Sequence, residues 1–237
     1  MPKRYRYNKD TRVKSRKKKR PGLRRMRILA GILLVIIFLF IVIPGRAVRR
    51  GVSVPAGAEF DDSDRGTLEI AGTRPELDVQ LLTVNEYSRP GIQVDHIDGI
   101  VIHYTANPGA SAQDNRNYFE NLAKSHITKA SSNFIIGMDG EIIQCIPTWE
   151  IAYASNERNG DTVSIECCHP DDTGHFTNET YRSLVQLTGW LCKKYGLTAD
   201  KVIRHYDVTG KLCPKYFVEN EAAWQAFIAD VDYAVNH

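Results

Sequence analysis

Residues 28–43 read ILAGILLVIIFLFIVI, sixteen positions without one charged or strongly polar side chain, and no other stretch limits the architecture as much. A helix through them spans roughly 24 Å at ~1.5 Å per residue. Met26 and Pro44 extend it towards the ~30 Å of a bilayer's hydrocarbon core. A segment apolar all round is enclosed either by protein or by lipid. The flanks choose between the two. Residues 1–27 carry fourteen Lys/Arg against a single acid, Asp10, a net +13, so with the whole chain at +3 the rest holds −10. A basic run directly before an apolar one marks the cytoplasmic side, and its arginines can snorkel to the interface. Gly45-Arg46-Ala47 is a poor cleavage site, and the apolar run exceeds most signal-peptide cores, which favours an uncleaved anchor. The expectation is a single-pass cell-membrane protein with its N-terminus cytoplasmic and everything beyond Pro44 outside. The lipid bilayer is then the partner of residues 28–44.

The acidic body argues against nucleic acid as a partner. The run Arg16-Lys17-Lys18-Lys19-Arg20 is the kind of patch that binds phosphate, but beside an apolar anchor it reads as a topology determinant that also favours anionic headgroups. Five cysteines, at 145, 167, 168, 192 and 213, leave at least one thiol without a disulfide partner. Cys167 and Cys168 point to opposite faces if they share a strand, so they do not pair with each other.

The chain divides into a basic cytoplasmic tail (1–27), a transmembrane anchor (28–44), a linker rich in Gly, Pro, Ser and charge (45–80), and a body (81–237). In the body, residues 97–105 (IDGIVIHYT) predict a buried strand with Val101, His103 and Thr105 on one face. Ser111 and Asp114 form a capping box for a helix to about Lys124. Asp139-Gly140 between two apolar runs predicts a hairpin. Residues 162–168 predict a strand with Ser164, Glu166 and Cys168 on one face. Residues 177–195 predict an amphipathic helix striped by Leu184, Leu187 and Leu191 and stopped by Gly196. A short strand over 201–205 and a final helix over 219–235, burying Trp224, Phe227, Ile228 and Val231, complete the reading. The fold class expected is α/β (α+β): a mixed central β-sheet flanked by helices, preceded by one N-terminal transmembrane helix.

His103 and His205 each end a predicted strand, and Cys213 follows eight residues after the second. Two imidazoles and a thiolate suit zinc, and three protein ligands leave a fourth position open, as in catalytic sites. No CxxC or HxxxH pair offers the closed cage of a structural site. A lone histidine after a strand is most often a satisfied buried side chain, so the spacing alone does not decide.

The words around these residues do. IVIHYTA, SSNFIIGMDGEIIQCIP, IAYASN, DTVSIE and HYDVTGKLCP, in that order from about residue 98 to 215, resemble the zinc-dependent N-acetylmuramoyl-L-alanine amidases of type 2, whose fold is shared with peptidoglycan recognition proteins. The resemblance implies that His103, His205 and Cys213 bind Zn2+. It implies that Glu166 and Lys211 lie beside the metal as catalytic groups, Glu166 moving protons and Lys211 steadying an oxyanion. It implies peptidoglycan or muropeptides as the partner, cut between N-acetylmuramic acid and L-alanine of the stem peptide. Ser132, Asn133, Tyr153 and Asn156 are the expected substrate contacts. Ser132 stands where many relatives carry a Tyr, which leaves proton handling to Glu166, and Tyr153-Ala154 stand where many carry Trp-His, which removes a substrate contact and bears on the preferred substrate. The alternative is a recognition module of the same fold that binds peptidoglycan without cutting it. His126, His169 and His175 read as surface or cap residues, and Asp207 as either an orienter of a ligand or an ordinary loop acid.

Overall fold

The computed structural model describes residues 72–237. The expected tail and anchor, residues 1–44, lie outside the described residues. Among those described, no helix is long and apolar enough to cross a membrane.

Six strands make one mixed sheet: β1 (Asp78–Val79), β2 (Gly99–Tyr104), β3 (Phe134–Ile136), β4 (Ile142–Gln144), β5 (Thr162–Cys167) and β6 (Val202–Arg204). Their order across the sheet is β1-β4-β3-β5-β2-β6. Only β3 and β4 run antiparallel; the other neighbours are parallel. The β3–β4 hairpin turns at Asp139-Gly140 as expected. Gly140 has φ 86° and a Cβ there would meet the Glu179 carbonyl oxygen at 3.0 Å, so both conformation and space demand glycine. Since Asp78 and Val79 pair with Ile143 and Gln144, the folded body reaches back into the stretch read as linker. Arg116 fastens that entry by donating to the Gln80 and Leu81 carbonyls. A two-residue strand is too short to leave a pattern in the sequence.

Strand alternation divides the apolar residues between two cores. Ile100, Ile102, Val163, Ile165 and Cys167 face α2 (Asn178–Tyr195) and α5 (Glu221–Asn236). Ile135, Ile143 and Cys168 face α1 (Ala112–Ser125), which contributes Ala112, Phe119 and Leu122. Cys167 and Cys168 thus fall on opposite faces, and all five cysteines are free and buried. Helix ends follow the expected chemistry. Ser111 and Asp114 close the capping box of α1, Thr177 caps α2 through the Thr180 amide, and Gly196 at φ 67° ends it. The expected last helix is α5, begun at Asn220, whose side chain accepts from the Ala223 amide; a short helix outside that expectation, α4 (Lys215–Glu219), precedes it. Ile228 is half-buried rather than buried.

Candidate metal centre

The sheet assembles the site. His103 on β2 and Glu166 on β5 are register partners and, by alternation, share a face. On the other side of β2, β6 pairs Arg204 with Ile102 and then stops. The chain turns at once into a short helix, α3 (His205–Thr209), so His205 opens a helix rather than ending a strand. Asp207 enforces this turn: it accepts from the Arg204 amide and pairs with the Arg204 guanidinium at 2.9 Å, and it bonds to no ligand candidate. The loop after α3 closes where the Tyr206 amide donates to the Cys213 carbonyl at 2.8 Å, which returns Cys213 to the histidines.

The ligand atoms of His103, His205 and Cys213 lie within 4.8 Å of one another, and all three residues are buried. Cys213 Sγ sits 3.8 Å from His103 Nδ1, and the two imidazole centroids are 4.7 Å apart. Burial, then the charge each would feel from His205 and Lys211, holds His103 well below the usual histidine range; burial and Lys211 lower His205 too. Both rings are therefore neutral, the form that ligates a metal. Burial, and next the Glu166 charge, push the Cys213 thiol up to about 12, so this pocket disfavours a thiolate unless a cation accompanies it. His205 Nδ1 and Glu166 Oε2 are sealed from solvent without a hydrogen-bond partner. Buried polar atoms are normally satisfied. Two orphans beside an N, N, S donor set fit a bound cation such as zinc.

The cluster forms the floor of a cavity of about 370 Å³, whose walls include Glu166, Lys211, Tyr153, Asn156, Tyr104 and Lys129. Burial pushes the Glu166 carboxyl up to about 8, and Lys211 draws it back. Lys211 is exposed, yet its charge reaches His103, His205 and Glu166.

Of the expected substrate contacts, Tyr153 and Asn156 line the cavity. Ser132 and Asn133 do not, and that expectation is corrected. Ser132, fully buried, donates from Oγ to the Ser164 carbonyl at 3.0 Å; Asn133 Nδ2 donates to the Pro147 and Glu150 carbonyls while its Oδ1 accepts from the Ser164 amide. These two side chains bind β5 to the loop after β4. His126 caps α1 at the surface and stacks on Tyr87, and His175 lies edge-on to Tyr216. His169 departs from the surface reading: it is buried against Tyr104 with its Nδ1 2.7 Å from the Asp171 carbonyl oxygen. Sequence reasoning missed Lys129, held over the rings of Tyr87 and Tyr153 beside Glu86, and Ser155, whose Oγ is 3.1 Å from His103 Nε2. Ser155 sits inside a matching word; Lys129 carries no signal beyond lying two residues before one.

Comparison with known proteins identifies the family and the fold. Residues 93–216 match the family described as N-acetylmuramoyl-L-alanine amidase. The N-acetylmuramoyl-L-alanine amidase CwlL of Bacillus licheniformis is 37% identical over 161 residues, which cover 63% of this chain and 44% of that protein. The N-acetylmuramoyl-L-alanine amidase BlyA of Bacillus subtilis (strain 168) is 32% identical over 167 residues, 62% of this chain and 44% of that one. The chain thus spans less than half the length of these relatives. Among solved structures, PlyL matches with TM-score 0.56 at 25% identity, covering 66% of this chain and 97% of that one. The catalytic domain of XlyA matches with TM-score 0.57 at 24% identity, covering 66% and 99%. The second likeness is one of fold.

Proposed function

The chain belongs to the N-acetylmuramoyl-L-alanine amidase family, and from that premise we propose that its body hydrolyses the amide between N-acetylmuramic acid and L-alanine of the stem peptide in peptidoglycan. The observation that carries this reading is the convergence of His103, His205 and Cys213 beside Glu166 on the floor of an open cavity.

His103, His205 and Cys213 would hold Zn2+. Bound there, the metal supplies a Lewis acid that makes water a competent nucleophile near neutral pH. Glu166 takes the proton that the attacking water loses as its oxygen bonds to the carbonyl carbon. A carboxyl poised near neutrality by burial is suited to both halves of a proton transfer. When the C–N bond breaks, Glu166 returns that proton to the departing nitrogen, which leaves as the free amino group of L-alanine. Lys211 turns its ammonium towards the charge that develops on the carbonyl oxygen. Tyr153 and Lys129 wall the cavity where the stem peptide enters.

The same reading keeps the sequence's account of location: residues 28–44 anchor the chain in a cell membrane, 1–27 stay cytoplasmic, and the body works outside. The apolar run and its basic flank support it.

The test measures zinc content and new L-alanine amino termini released from peptidoglycan by wild type and Glu166→Ala. One zinc in both proteins, with release reduced about 10²–10⁴-fold in the variant, is the expected result. Bound zinc without release from any wall type by the wild type would replace the hydrolase with a recognition module. Folded protein without zinc would remove the centre itself.

A further inference from the structure

Consecutive residues Ser155 and Asn156 meet the two histidines from behind. Ser155 Oγ lies 3.1 Å from His103 Nε2, and Asn156 Oδ1 lies 3.1 Å from His205 Nε2. In each ring the engaged nitrogen is Nε2. The other nitrogens face the ligand cluster: His103 Nδ1 lies 3.8 Å from the Cys213 sulfur, and His205 Nδ1 is buried without a hydrogen-bond partner.

This pairing has a chemical consequence. An amide oxygen accepts and cannot donate, so the atom facing it, His205 Nε2, must carry the ring's proton. In a neutral imidazole that leaves the Nδ1 lone pair unprotonated. A serine hydroxyl can accept or donate, so Ser155 imposes no tautomer on His103 but supports the same Nε2–H form once Nδ1 is to face a cation. One dipeptide therefore engages Nε2 of both rings, dictating the proton position at His205 and leaving Nδ1 of each histidine to be presented.

The backbone is built to hold the dipeptide. Asn156 sits at φ 52°, a region that among residues with a Cβ favours Asn and Asp. Asn159 Oδ1 accepts from both the Ala154 amide (3.1 Å) and the Ser155 amide (2.6 Å), which pins the turn at the start of a 3-10 segment, Asn156–Gly160. Ser155 is only 1% exposed, so substrate does not reach its hydroxyl. Asn156 lines the cavity with its oxygen engaged by His205, so its Nδ2 donors are what it has left to offer a substrate.

We propose that Ser155-Asn156 is one positioning element for the metal centre, fixing His205 and supporting His103 in the Nε2–H tautomer so that two Nδ1 lone pairs address a single cation. The proposal rests on the reading that His103, His205 and Cys213 hold that cation. Hydrogen-bonded supports of this kind orient ligands, and their loss typically costs about 10–100-fold in metal affinity.

The experiment uses the 237-residue chain with three substitutions. Asn156→Gly keeps the left-handed backbone and deletes the acceptor. Asn156→Asp keeps an acceptor in the same place. Ser155→Ala removes only the contact to His103. Zinc dissociation constants come from chelator competition, and the ring tautomers of the metal-free proteins from long-range 1H–15N NMR. Asn156→Gly is expected to weaken zinc about 10–100-fold and to let His205 drift from the pure Nε2–H form. Asn156→Asp should restore both affinity and tautomer, and Ser155→Ala should change the His103 ring alone. Should Asn156→Gly fail to fold, Ser155→Ala reads the same effect at His103. Variants that bind zinc as wild type does, or lose zinc with both tautomers unchanged, would overturn the proposal and leave the metal centre standing. A wild type that binds no zinc would remove both.

Discussion

Glu166→Gln in metal-free protein isolates the cost of one buried carboxyl. Burial raises its pKa from 4.5 to about 8 against the pull of Lys211. At ~1.4 kcal/mol per pH unit, that difference is worth about 5 kcal/mol at most, and water in the open cavity brings it towards about 2–3 kcal/mol. The sign follows from which state binds the proton. Below pH 4.5 the carboxyl is protonated folded and unfolded alike, and the folded chain bears no penalty. Between pH 4.5 and about 8 the unfolded chain releases a proton that the folded chain keeps, so stability falls as pH rises; above about 8 the loss is complete. Glutamine cannot ionise and lacks this slope. His103 and His205, both lowered, give the opposite slope, losing stability as pH falls below 6.5, but both proteins contain them and their share cancels in the difference. Urea midpoints of chelator-treated wild type and Glu166→Gln, compared at several pH values with the slope m checked for constancy, read the effect directly. The variant's advantage should grow by about 2–3 kcal/mol from the acid to the alkaline end of that window. An advantage that stays constant across it would refute the claim that partial burial raises the pKa of this carboxyl.

Ser132→Ala should leave KM for peptidoglycan fragments unchanged and lower stability by about 1 kcal/mol, because its hydroxyl serves Ser164 and not the cavity; enzyme kinetics beside thermal unfolding check both halves. Lys129→Ala should raise KM several-fold and change kcat little, since its ammonium stands on the cavity wall and is held only by exposed Glu86 and two rings; steady-state kinetics on a soluble muropeptide give the split. Asn220→Ala should cost about 1 kcal/mol by uncapping the last helix without touching activity, and a urea titration with an activity control would reveal otherwise.

The fold was legible wherever one residue's periodicity or end chemistry decides the outcome. Strand alternation in IVIHY and TVSIEC, the Ser111–Asp114 box, the Asp139-Gly140 turn and the Gly196 stop each act within a few residues, and each stands where the sequence places it. Positions settled by distant partners were not legible. Asp78–Val79 becomes a strand only because the edge of β4 is free to accept it. The short α4 before Asn220 likewise carries no periodicity of its own, whereas α5 begins within two residues of the expected start.

The site divides along the same line. His103 and Glu166 are register partners on β2 and β5, and His205 opens the helix directly after β6; since β5-β2-β6 are neighbours in the sheet, recognising the three strands is nearly enough to bring these residues together. What the sequence could not convey is which polar residues of the matching words face the cavity and which face the protein. Ser131-Ser132-Asn133 and Ser155-Asn156 are chemically alike. The first run sends Ser132 and Asn133 inward to Ser164 and the carbonyls of Pro147 and Glu150, while the second turns both side chains to the histidines. The difference is one of direction, set in the second run by a left-handed Asn156 and the Asn159 side chain that pins the turn before it. A residue's type announces that it can accept a hydrogen bond; only the backbone decides whose. That is why the groups proposed to ligate a metal and transfer protons could be named from the sequence, while the groups proposed to aim them had to be seen in place.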